Sequence, residues 1–165
     1  MSMKRLCLVL AALWALGAAP ALAQQPQDHT ELVAPSDPEM NAAIAHARET
    51  LPRFWAAYDA HNGQDFMLKV AFPIQPSGAE HIWIDAVVRQ GDHFTGTLAD
   101  EPEYMPGLHF GSPVTFTEDQ ISDWMVGRAG RIYGFFTTRV LFSRLTGDER
   151  AQYAGIESAL SDDLP

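Results

Sequence analysis

The chain has 165 residues, 47% of them hydrophobic, with 21 acidic against 11 basic side chains and a formal net charge of −10. That excess argues against nucleic acid and anionic lipid as partners, because both attract basic patches. The single cysteine, Cys7, excludes an intrachain disulfide, and its place in a leader leaves the domain without a thiol for catalysis or metal binding.

Residues 1–23 read as a signal peptide. Lys4 and Arg5 precede the apolar run LCLVLAALWALGAA, too short for a membrane span, and Ala21–Ala23 supply the small-x-small pattern of a cleavage site. The expected location is periplasmic or secreted, with no membrane insertion after cleavage. Residues 24–36, QQPQDHTELVAPS, are polar and proline-punctuated and form a flexible linker. Residues 37–155 are expected to be one domain, followed by a disordered tail over 156–165.

The domain opens with a capping box, Ser36 and Glu39, with Pro38 in the first turn. Met40, Ile44, Ala47, Leu51, Phe54 or Trp55, and Tyr58 then recur at helical spacing and predict one apolar face. Pro52 is expected to kink or split this helix, and Gly63 to cap its end. From Phe66 the period changes to two. Phe66, Leu68, Val70 and Phe72 share one strand face, and Ile82, Ile84, Ala86 and Val88 share another in EHIWIDAVV. RQGD turns the chain into a third strand, HFTGTL, and ADEPEYMPGLHFGSP is a loop by its prolines and glycines. VTFT is a short fourth strand. TEDQISDWM reads as a capped helical turn, Thr117 and Gln120 having capping-box spacing, and RIYGFF as a fifth strand interrupted by Gly134. TTRVLFSRL reads as a helix in preference to a sixth strand, and a shorter helix around DERAQY closes the domain. A meander of strands after one long helix predicts α+β: an N-terminal amphipathic helix packed on a curled antiparallel sheet of about five strands.

The chain lacks a phosphate-binding glycine loop, a dinucleotide fingerprint, a nucleophile elbow and a helical histidine pair, so no cofactor and no metal site is expected. If Ile82 and Ile84 face the core, alternation sends His81, Trp83 and Asp85 to the opposite face, with Glu80 at the strand's start. An indole wall beside His81 and Glu80 makes a shallow binding strip. In ISDWM, Asp123 beside Trp124 either caps a neighbouring turn or accepts a hydrogen bond from His81, which would fix its tautomer as a general base requires. The binding candidates are therefore Glu80, His81, Trp83, Asp123 and Trp124.

Five stretches in order, EHIW (80–83), FTGTLADEP (94–102), GSPVTF (111–116), ISDWM (121–125) and GFFTTRV (134–140), resemble the YegJ-like family, a bacterial domain of unknown function. The resemblance covers about residues 37–145. It implies a compact α+β domain and lays emphasis on Glu80, His81, Trp83, Asp123 and Trp124, and it brings no established activity with it. The chain departs from the family's frequent asparagine two residues before the proline of the second stretch, where Asp100 stands. The leading expectation is a non-catalytic module of the cell envelope that binds a small molecule or an envelope protein. The alternatives are a small hydrolase or lyase using His81 with Glu80 or Asp123, and an immunity-like or inhibitor protein whose acidic surface meets a basic partner.

Overall fold

The helix set by the apolar spacing runs without a break as α1 (Pro38–Asp59) in the computed structural model, which describes residues 37–162 and Leu164. The expected signal peptide and linker lie outside the described residues. Asp37 supplies the N-cap, its carboxylate accepting from the amides of Glu39 and Met40 at 3.1 Å each, where Ser36 was expected to do so. Pro52 does not split the helix. Leu51 and Phe54 bury on either side of it, and packing of the shared stripe offsets the one missing hydrogen bond. The chain leaves α1 through His61 in the left-handed region (φ 50°), two residues before the expected glycine.

Seven strands follow: β1 (Gln64–Pro73), β2 (Ala79–Gln90), β3 (His93–Leu98), β4 (Pro113–Phe116), β5 (Ile121–Arg128), β6 (Arg131–Gly134) and β7 (Leu160–Ser161). They form one sheet in the order β4-β3-β2-β1-β5-β6-β7, antiparallel except for β6 with β7. The fold is α+β as expected, with more strands. The chief omission is β5, read from sequence as a helical turn. Thr117 and Gln120 do form their capping box, but it heads only a single 3-10 turn, Glu118–Gln120. Ile121, Ser122, Asp123 and Trp124 are all buried, so β5 shows no apolar alternation. A register shift opposite Lys69 and Val70 inserts Ser122 as an extra residue in the ladder.

The sheet curls without closing. From Phe116 to Ile121 the chain reaches at most about 18 Å. Four spacings across a flat sheet, from β4 to β5, would need about 19 Å before any offset along the strands. Ala47, Leu51 and Phe54 of α1 fill the concave side against Leu68, Val70, Ile82, Ile84, Ile121, Trp124 and Val126. Trp124 Nε1 donates to the Ala47 carbonyl at 3.0 Å and to Thr50 Oγ1 at 3.1 Å, fixing the helix on the sheet. In β2 the alternation holds through Ile84 and then slips. A shift between Asp85 and Val88, with Ala86 at φ 47°, turns Val87 inward and leaves Val88 50% exposed, so Ala86 and Val88 are not core residues.

The helices α2 (Phe136–Arg144) and α3 (Gly147–Gln152) stand where expected. Residues 156–162, expected as a tail, carry the end of α4 (Ala154–Ala159) and β7, and Leu164 packs against the core. Gly134 ends β6 at φ 78°, and a Cβ there would overlap the carbonyl and ring of Trp124.

Candidate functional site

Strand pairing places Trp83 and Asp123 on either side of Lys69, on the sheet face turned away from α1. This face is buried: Trp83 is 3% exposed, Lys69 7%, and Ser122 and Asp123 not at all. Phe135 lies over Trp83 with ring centres 5.1 Å apart, while the next residue, Phe136, meets Trp124 on the α1 side at 5.5 Å. The start of α2 therefore wraps the edge of β5 and seals both faces.

Asp123 is the hub of this seal. Its Oδ1 accepts from the amides of Trp124 (2.8 Å) and Phe136 (3.2 Å), and its Oδ2 from the amide (2.7 Å) and hydroxyl (2.6 Å) of Thr137. Phe135, the residue preceding α2, has φ 62° and offers no capping side chain, so a strand carboxylate satisfies the first amides of the helix. Burial pushes the Asp123 carboxyl up, against the opposing pull of Thr137, Lys69 and the Trp124 amide. Of the two roles expected for Asp123, the structure gives it the cap.

Glu80 is likewise committed. It is fully buried at the start of β2 and accepts from the amides of Glu103 (2.7 Å) and Tyr104 (2.9 Å), pinning the loop over residues 99–112. His81 is half-buried, and its Nδ1 lies 2.9 Å from Ser122 Oγ, which donates to the Lys69 carbonyl at 3.2 Å. Desolvation, with the charges of Lys69 and Arg48, lowers the His81 pKa from 6.5 to about 4. A neutral ring without a carboxylate partner is a weak base near neutral pH. The hydrolase or lyase arrangement, His81 oriented by Glu80 or Asp123, is thus not assembled: both carboxylates are spent on backbone amides.

The five candidates therefore do not share one recess. Glu80 lies under a loop, Trp83 and Asp123 beneath the α2 junction, and Trp124 in the α1 core; only His81 reaches solvent. Trp83 Nε1 and Thr138 Oγ1 are buried without a hydrogen-bond partner among the described residues. Sequence reading passed over Lys69, Ser122 and Thr137. A lone lysine inside FMLKVAF was the one available signal. Among the described residues no group of three His, Cys, Asp or Glu side chains is placed to hold a metal ion, and no helix is long and apolar enough to cross a membrane.

Large apolar side chains reach water on the pinned loop. Phe110 is 65% exposed and Tyr104 40%. The loop is ordered by its own hydrogen bonds as well as by Glu80. Glu101 accepts from the Phe110 amide (2.8 Å) and faces His109 Nδ1 (2.9 Å), contacts that lower its pKa. Ser112 Oγ accepts from the His109 amide (2.9 Å), and Met105 and Leu108 pack against the core.

The model of a family described as "Uncharacterized protein conserved in bacteria (DUF2314)" matches residues 37–158. The chain is 30% identical over 99 residues to "Uncharacterized protein YegJ" of Escherichia coli K12, covering 59% of this chain and 63% of that protein. It is 32% identical over 127 residues to "Putative ankyrin repeat protein NMB1133/NMB1171" of Neisseria meningitidis serogroup B, covering 72% of this chain and 50% of that protein. The chain thus spans less than two thirds of the length of each of these relatives, and no solved structure matches it. The chain belongs to the DUF2314 family of bacterial proteins, the YegJ-like group that its five ordered stretches resemble.

Proposed function

We propose that this protein is an exported, non-catalytic module of the cell envelope that binds a protein partner through the loop over residues 99–112. One observation carries the reading: a loop locked by buried and internal carboxylates presents Phe110 and Tyr104 to water. A flexible loop would fold its aromatic rings back or pay entropy on docking. A pre-ordered one binds with less loss, and aromatic side chains of this kind are the usual anchors of interfaces. Burying the two rings would contribute about 2 kcal/mol each.

The surroundings favour a basic partner, in keeping with an inhibitor-like or immunity-like role. Between Gly91 and Gln120 the chain carries six acidic residues and no lysine or arginine. Such a field steers a basic surface toward the aromatic pair and makes association sensitive to salt.

A photo-crosslinking amino acid in place of Phe110, expressed in the native host, tests this. The expected result is one discrete protein adduct in the envelope fraction, lost at high salt and lost when Glu80→Ala unpins the loop. The same probe at Val88, which is also exposed, is expected to give none. No adduct at position 110, or equal adducts at both positions, overturns the proposal.

A further inference from the structure

The sheet face turned away from α1 holds more buried hydrogen-bond donors than free acceptors. Lys69 on β1 stands directly opposite Trp83 on β2 and Asp123 on β5, and its ammonium lies 5.3 Å from the centre of the Trp83 ring. That ammonium carries three N–H bonds, and among the described residues its one hydrogen-bond partner is the Thr137 hydroxyl, at 3.5 Å. The indole N–H of Trp83 has none. Both side chains are buried.

The acceptors around them are engaged. Asp123 takes its four bonds from Trp124, Phe136 and Thr137, and the Thr137 hydroxyl gives its proton to Asp123. His81 and Ser122 meet across β1, and the Ser122 hydroxyl donates to the Lys69 carbonyl. Thr138, in the first turn of α2, is buried with its own hydroxyl unpartnered. Folded chains leave few buried polar groups unmet, and a group of them calls for a partner from outside the chain.

The missing partner is an acceptor, and the setting selects its charge and shape. Desolvation and then the charges of Lys69 and Arg48 hold down the pKa of His81, so the field next along this face is positive. Trp83 and Phe135 supply flat walls, their ring centres 5.1 Å apart. Nε1 is an edge atom of the ring that the ammonium overlies, so both nitrogens fall within the span of one carboxylate, about 7 Å from donor to donor. We propose that Lys69 and the Trp83 indole N–H form a binding site for a small planar carboxylate, between the sheet face and the start of α2. His81 reaches solvent two residues before Trp83 and marks the side of entry. The site shares no residue with the loop over residues 99–112 and stands or falls independently of the partner reading.

The test is a titration of the full folded chain at pH 7 and constant sodium concentration, in which acetate replaces chloride. The indole N–H resonance of Trp83, the one lost in Trp83→Phe, is followed by NMR. Acetate is expected to shift it saturably, with a Kd of about 1–10 mM, and to raise the melting temperature above the chloride control. Lys69→Met, similar in length and without the charge, is expected to weaken binding about tenfold. Trp83→Phe keeps an aromatic wall and, followed through the Thr137 and Thr138 amides, is expected to weaken binding about threefold. It supplies the reading should Lys69→Met fail to fold. Inorganic phosphate, larger and more highly charged, is expected to bind less tightly than acetate. A shift that does not saturate with acetate overturns the proposal and leaves water as the partner of these donors. So does an equal response to methylammonium chloride, phosphate binding as tight as that of acetate, or affinity unchanged in the variants.

Discussion

Replacing Asp123 tests how the sheet and the C-terminal segment are joined. Its carboxylate is fully buried and accepts four hydrogen bonds, three from backbone amides and one from the Thr137 hydroxyl. Asp123→Ala strands these donors and leaves the buried Lys69 without its cross-strand carboxylate. At about 1–3 kcal/mol for each donor left without a partner, and allowing for relaxation and some rehydration, the loss is about 4–5 kcal/mol. That is a large share of the stability of a domain this size. Asp123→Asn is the finer probe. Its carbonyl can keep the Trp124 and Phe136 amides, and the Thr137 hydroxyl can rotate to accept from the new NH2 group, but the Thr137 amide then faces a donor. The expected cost is about 2 kcal/mol. Urea unfolding followed by circular dichroism at pH 7 reads both values. In the Asp123→Ala background, Thr137→Val should cost less than in the parent, because the hydroxyl proton has already lost its acceptor and only the Lys69 contact remains. A loss below about 1 kcal/mol for Asp123→Ala would refute the argument, since it would mean that water or another group satisfies the helix start.

His81 gives a pH signature. Its pKa is about 4 in the folded chain against 6.5, so between those values the unfolded chain binds more protons and stability falls as pH drops from 6.5 toward 4. Allowing for its partial exposure, the effect is at most about 2 kcal/mol, and His81→Gln should flatten the stability curve over that window by this amount. Asp123, pushed up by burial, acts in the opposite sense, so the readout is the difference between parent and variant across pH 4.5–7 and not the parent's slope alone. Gly134→Ala is expected to cost about 3 kcal/mol or more by thermal unfolding, because it adds left-handed strain to an overlap with Trp124. A melting temperature unchanged by this substitution would contradict the packing described for β6.

The legible parts of the sequence were those where one face alone is buried. The α1 stripe of Met40, Ala47, Leu51 and Phe54 and the strand pairs Leu68/Val70 and Ile82/Ile84 are where their periods put them. Periodicity failed at β5 because Ser122 and Asp123 are buried as deeply as Ile121 and Trp124, so no alternation marks the strand. It failed again at Ala86, where a bulge changes the parity of β2 without a glycine to announce it. Glu80 and Asp123 stood out as candidate binding groups, yet apart from the adjacent Trp124 amide and the Thr137 hydroxyl their partners are amides 13 to 24 residues away along the chain, a pairing that only the tertiary fold reveals. Tyr104 and Phe110 lay in a segment read merely as a loop, since composition reports its turns and not its anchoring.

The curl that brings β5 back beside β1 also sets the order in which the molecule can mature. β1 is central, yet its two neighbours come from residues 79–84 and 121–127, so one of its flanks stays unfilled until most of the chain has been made. A ribosome-bound or prematurely ended product stopping at Phe116 would present Leu68 and Val70 on a raw, hydrogen-bond-hungry border, the kind of template on which chains stick to one another. Synthesis of the short stretch from Glu118 to Arg128 therefore supplies the strand that covers this border.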